Sequence, residues 1–243
     1  VNTEQIFYRT RWQVTRYADE AGFAAGKASA VVGGDGKQLP AVSVVEGNLL
    51  LQEGITRLLN LLIGGGGTVY SNANARIGVG DGAPSALAGT LGFTSGSANV
   101  TGTGTSFTTA LAVGDHLVGP DGQIYTVQTI TNNTALVLTG NYAGATQSGV
   151  TVNKITRAIA TQTDLLASTN KLYKAMDATF PQISAQTVTF QAQFTGAEAN
   201  YAWNEVTVDN GSSAAENFNR KVAYNGVKAS GQVWTLQLSV TIG

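Results

Sequence analysis

The sequence predicts a mainly β protein: an antiparallel β-sandwich packed on one amphipathic helix, with an inserted small β-barrel. Three observations carry this. Strict apolar–polar alternation runs through residues 5–17, Thr187–Phe194 and Val233–Ile242, the period of a half-buried antiparallel sheet. Only Glu46–Gly67, EGNLLLQEGITRLLNLLIGGGG, shows a strongly helical apolar period. From about Thr90 to Lys154 charges nearly vanish, and short β-like runs alternate with turn signals, which marks off a separate module. The predicted organisation is an N-terminal strand and arm over 1–45, a sandwich core with its helix over 46–88 and 158–243, and the inserted barrel over 89–157.

Composition narrows the function. With 243 residues and 43% hydrophobic residues, a large core is available. Charged residues are only 12%, against roughly 25% in an ordinary soluble domain, which suits turn-rich β-structure and surfaces buried against other copies or partners. A net charge of −1 gives no electrostatic case for nucleic acid. The absence of Cys excludes disulfides, thiolate metal sites and cysteine nucleophiles together. The longest apolar run is too short for a membrane span of roughly 20 residues, so no membrane partner is expected.

Along the chain, QIFYRTRWQVTRY (5–17) is a long strand. Ile6, Tyr8, Thr10, Trp12 and Val14 share one face; Phe7, Arg9, Arg11, Gln13 and Thr15 share the other. Arg9 and Arg11 are either solvated or dock an acidic neighbouring subunit, and are candidate partner-binding residues. Residues 18–45 read as an arm or loop leading to the helix, with a short β-like run near Val42–Val45. In the helix, Leu51, Ile55, Leu58 and Leu62 form one face, widened by Leu50, Leu59 and Leu61; Asn48 is the expected N-cap, and Gly64–Gly67 end it. A helix this apolar must be covered, and the surrounding strands are the expected cover. Arg76–Gly80 reads as a strand whose alternate glycines suggest close backbone approach. GVGDG is no phosphate loop, because no helix-forming run follows it.

In the insert the candidate strands are Ala98–Gly102, His116–Val118, Gln123–Ile130, Ala135–Thr139 and Val150–Ile155, with Pro120-Asp121-Gly122, Asn132-Asn133 and Gly140-Asn141 as turns. After Ala160, ATQTDLLA reads as a turn or short helix. Strands follow at Leu172–Met176, Thr187–Phe194, Tyr201–Val208 and Val233–Ile242.

The pattern points to no catalytic chemistry. His116 is the sole histidine, and Asp115 beside it would point to the opposite strand face, against a Ser-His-Asp arrangement. One His without Cys makes no zinc site, and Asp81 with Asp164 lies in no dense oxygen-ligand loop. Asp177, Glu198, Glu205 and Asp209 are expected on solvated surface or subunit contacts. Trp12, Trp203 and Trp234 alternate with polar residues, which favours core or interface packing over sugar stacking. A glycan, if bound, would first be sought at Tyr125 and Tyr142. No catalytic, cofactor-binding or metal residue is predicted, and no cofactor.

NARIGVGDG, TQTDL, NKLYKAMDATFPQ, QTVTFQAQF, ANYAWNEVTV and NRKVAYNGVKASGQVWTLQLSVTI together resemble a family of tailed-bacteriophage virion structural proteins. The resemblance covers Glu46 to about Pro84 and Ala160 to the C-terminus. VTGTGTSFTTALAVGDHLVGPDGQIYTV is similar to small β-modules of phage surface proteins. The resemblance implies a virion component, assembled in the bacterial host cytoplasm, and transfers no catalytic residue. A fibre shaft should show heptads or short β repeats, and neither is present. The expectation is therefore a non-enzymatic accessory capsid decoration or cement protein. Its partners would be the major capsid protein or other virion proteins and further copies of itself, as a trimer. The alternative is a tail-fibre or baseplate receptor-binding protein that contacts host-surface glycan through the insert.

Overall fold

A computed structural model describes residues 8–211 and 215–243. The chain is mainly β and antiparallel, and divides into two compact units: unit 1 runs to Asp81 and resumes at Ala158, and unit 2 is Gly82–Arg157.

Unit 1 opens with β1 (Tyr8–Tyr17), whose alternation follows its sequence. Thr10, Trp12 and Val14 are buried while Arg9 and Arg11 are exposed. The first residues of the predicted strand, 5–7, lie outside the described residues. The stretch read as an arm folds back on its own unit instead. It forms α1 (Glu20–Ala24), capped by Asp19 accepting from Gly22 N at 2.7 Å. A small hairpin of β2 (Val31–Val32) and β3 (Gln38–Leu39) follows, then β4 (Val42–Glu46), antiparallel to β1. Val31 and Leu39 enter the core, and Arg16 reaches out of β1 to clamp the segment, donating to Pro40 O and Ser43 Oγ at 2.9 and 2.7 Å. Burial pushes Arg16 down to about 10. Next come β5 (Leu49–Leu50), α2 (Gln52–Leu62) and β6 (Arg76–Gly80).

Unit 2 contains β7 (Ser85–Ala86), β8 (Thr90–Phe93), β9 (Asn99–Thr103), α3 (Phe107–Ala110), β10 (His116–Val118), β11 (Ile124–Asn132), β12 (Ala135–Leu138), β13 (Gln147–Val150) and β14 (Asn153–Ile155). They form one sheet in the order β13-β8-β9-β12-β11-β10-β14-β7. Its two end strands, β13 and β7, have one neighbour each, so strand pairing alone does not close the sheet. The proposed glycan residues Tyr125 and Tyr142 are not exposed. Tyr142 is 1% exposed and Tyr125 9%; their rings lie 5.4 Å apart, and Phe93 lies 5.0 Å from Tyr142. The two tyrosines join Phe93, Phe107 and a set of leucines and valines in the hydrophobic core of the module. Tyr125 Oη is then satisfied inside, donating to Asp121 Oδ2 at 2.6 Å.

The first and last strands of unit 2 pair with each other, Ser85 opposite Lys154, so its ends leave side by side. Pro84 to Ala88 therefore belong with this unit. Replacing residues 82–157 by a short Gly-Ser linker is expected to leave unit 1 folded, with its near-ultraviolet tryptophan signal intact. Loss of that signal would show that unit 1 needs unit 2 to fold.

The chain returns to unit 1 with β15 (Lys171–Ala175), β16 (Gln182–Ser184), β17 (Thr187–Phe194), β18 (Glu205–Asp209), β19 (Asn219–Val222) and β20 (Val233–Ile242). One five-stranded sheet has the order β16-β17-β20-β1-β4, the other β15-β6-β18-β19-β5. They share one sandwich-like core. Trp12, Phe190, Phe194, Leu236 and Leu238 come from the first, Ile77, Val79, Val206 and Val208 from the second. Trp12, Trp203 and Trp234 are all within it, Trp203 standing 4.7 Å from Phe194 and 4.9 Å from Trp234 in edge contacts.

Candidate functional site

The second sheet of unit 1 carries a buried polar layer on the side away from the core. Strand β18 alternates Val206 and Val208 inward with Glu205, Thr207 and Asp209 on the other face, and all five are buried. These acids are not the solvated surface the sequence suggested. Glu205 is 0% exposed and accepts from Ala167 N at 2.7 Å, Leu166 N at 3.0 Å and Arg220 Nε at 2.8 Å; Arg220 is also 0% exposed. Arg220 also donates to Gln162 Oε1 at 3.2 Å. Thr207 donates to Asn219 O and Asn217 Oδ1. The other two acids are half-buried on partners of this chain, Asp177 on Gln191 and Gln193 N, Glu198 on Lys174 and Thr195 N.

Where this layer meets solvent there is a pocket of about 380 Å³, lined by Arg76, Thr163, Asp164, Tyr173, Asp209, Ala215 and Asn217. Asp209 takes two hydrogen bonds from Arg76, at 3.0 and 2.6 Å, and burial raises its pKa above the usual carboxylate range against that pull. Burial also works upward on Asp164, but Lys171 Nζ at 2.6 Å and Tyr173 Oη at 2.5 Å hold it below that range. Arg76 stacks 5.0 Å over Tyr173. Each pocket acid is matched by a cation of this chain. The arrangement is suited to bracing the wall, and it commits the carboxylates that proton transfer would need.

Helix α2 is the larger surprise. It starts after Leu51 with no side-chain cap; Asn48, the expected cap, accepts from Tyr8 Oη at 3.1 Å instead. Gly64, at φ +71°, ends it as expected. Its polar side faces the protein. Glu53 accepts from Asn217 N at 2.5 Å, Arg57 grips Glu216 with Nε and Nη2 at 2.5 and 2.7 Å, and Gly54 lies against the backbone of Phe218. Its apolar side faces outward: Ile55 and Leu58 are each 39% exposed, Leu59 57%, Leu62 81% and, just past the helix, Ile63 79%. The strands do not cover the helix. The anchor on Asn217 and Glu216 fixes its rotation, and the apolar stripe is left on the far side.

This anchor is pH-dependent. The Arg57 hydrogen bonds hold Glu216 below the ordinary glutamate range. Its contribution is complete above that range and lost as pH falls through the lower native value. Glu53 has the opposite sign, because burial raises it. Amide exchange over 52–62 is expected to accelerate only as Glu216 protonates. Glu216→Gln should already be fast at neutral pH and lose that acid step; an acid step that survives in the variant would place its origin elsewhere.

The other predicted residues do not converge. Arg9 lines a groove of about 330 Å³ with Tyr8, Thr10, Glu46, Gly47 and Asn48, whereas Arg11 reaches Gln13 at 2.8 Å and lies 3.8 Å from Glu46. His116 Nδ1 is 3.0 Å from Thr126 Oγ1, while the Asp115 carboxylate binds Arg157 and Ala112 N. Among the described residues no group of three or more His, Cys, Asp or Glu is placed to hold a metal ion, and no helix is long and apolar enough to cross a membrane. No family model, curated protein or solved structure matches the chain.

Proposed function

We propose that this chain is a non-enzymatic structural protein of a tailed-bacteriophage virion, an accessory decoration or cement protein of the capsid. One observation carries the reading: the motifs of the phage resemblance meet around a single buried acid. IGVGDG supplies β6, with Gly80 opposite Glu205 in register. TQTDL supplies Gln162 and leads into the Leu166 and Ala167 amides on Glu205. AWNE supplies Glu205 itself, and NRK supplies Arg220. Charges buried this way are shut off from a soluble substrate and hold the backbone in one arrangement, which is the work of a scaffold. Low overall charge favours close packing in a lattice, with the major capsid protein or other virion proteins as partners. A protein that binds only the assembled shell stabilises it by mass action.

In this reading unit 2 is a barrel-type module inserted into a sandwich. The glycan-binding alternative has lost its aromatic platform, because both tyrosines face inward. The test is immunogold labelling of intact virions of the phage that encodes the chain. Dense label over the head supports decoration. Label confined to the tail end would replace it with a baseplate or fibre role. Virions without label would overturn the virion reading altogether.

A further inference from the structure

We propose that α2 is a self-association surface, and that a second copy of this chain covers it. This does not depend on where in a particle, or in what setting, the protein acts. The helix cannot turn its stripe inward, because Glu53, Gly54 and Arg57 pin the opposite side to Glu216–Phe218. Ile55, Leu58, Leu59 and Leu62 fall on one face at three- and four-residue spacing, and Ile63 extends it. Contiguous apolar faces of this kind are often interaction sites.

Charge decides the occupant. The helix carries only two charged side chains, Glu53 and Arg57, and both are committed to the inward side, on Asn217 and Glu216. The exposed positions that flank the stripe are Gln52 and Thr56. A face without charge is complementary to itself, since a twofold axis then sets no like charges against each other. A partner chosen by charge would find nothing here to read. Area agrees: five side chains present on the order of 500 Å², so two copies bury on the order of 1,000 Å² between them, the floor for a specific interface.

The test uses the full chain. Sedimentation equilibrium is expected to show reversible self-association of the wild type. Leu59→Glu with Leu62→Glu should weaken it by about 100-fold or more, because like charges then face each other. Both positions are exposed, so the circular dichroism should not change, nor the melting temperature measured at a concentration where both proteins are monomeric. Mixing that variant with Leu59→Lys/Leu62→Lys should restore a complex containing one of each. The chain has no Cys, so Leu62→Cys offers a single thiol, and mild oxidation should link two copies through it. A wild type that stays monomeric to millimolar concentration would overturn the proposal. So would association indifferent to the glutamates.

Discussion

Replacing Arg220 by methionine is expected to destabilise unit 1 by about 3–5 kcal/mol, read from the midpoint of chemical denaturation. The cost comes from what is left behind. Glu205 is fully buried, and among the described residues Arg220 is the cation paired with it. Without the guanidinium, Glu205 keeps the amides of Leu166 and Ala167, which are dipoles and not a countercharge. Its buried charge is then left without a countercharge. Glu205→Gln should cost a similar amount, since it strands the arginine. The double variant Glu205→Leu/Arg220→Met removes both charges and should recover much of the loss. Recovery is incomplete, because the buried Ala167 N then has no acceptor, at about 1–3 kcal/mol. A loss below about 1 kcal/mol for Arg220→Met would mean that water reaches Glu205 and that the pair is not the closed staple described here.

The same staple explains the glycines of IGVGDG. A Cβ at Gly80 would stand 2.7 Å from Glu205 Oε1, and one at Gly78 would stand 2.6 Å from the Tyr173 ring. The alternate glycines are thus the places where the polar layer lies flat on β6, as the close-approach reading of that strand suggested. That much was legible in sequence, as were the bounds of Arg76–Gly80, Thr187–Phe194 and Val233–Ile242, because a period of two is a local property. Partners are not local. Glu205 looked like an exposed acid on a strand, since nothing in EVTVD announces Arg220 waiting 15 residues further on. The arm of residues 18–45 offered no period beyond the short run near Val42–Val45, which is β4, and its place is set by Arg16 in the strand before it.

The helix shows the limit most sharply. Its apolar stripe was read in the right place, but the direction in which the stripe points was not. Periodicity says which residues share a side. It does not say which side meets the fold, and burial of the apolar side is only the usual answer. Here the answer is set by a Glu216 lying 159 residues from Arg57. The one local hint was Gly54, a helix-breaking residue amid helix formers.

Gly54→Ala is expected to release α2. Intrinsic propensity argues for the reverse, since alanine favours a helix over glycine by about 1 kcal/mol. Contact outweighs it. A Cβ at this position would stand 2.5 Å from Phe218 O, 2.6 Å from Phe218 Cα and 2.9 Å from Asn217 O. All three atoms are backbone, in a segment already tied down by Leu51 N on Phe218 O and by Glu53 on Asn217 N, so no side chain can rotate away. Overpacking of this kind costs about 1–3 kcal/mol, enough to cancel the propensity gain and leave a net loss. The loss should be local: faster amide exchange over 52–62, with the tryptophan core of the sandwich unchanged. Thr56→Ala, on the exposed side of the same helix, separates the two effects. It should stabilise the helix by a few tenths of a kcal/mol, since only propensity acts there. If Gly54→Ala slowed exchange as Thr56→Ala does, the helix would not be seated on residues 217–218, and the outward direction of its apolar stripe would have to be reconsidered.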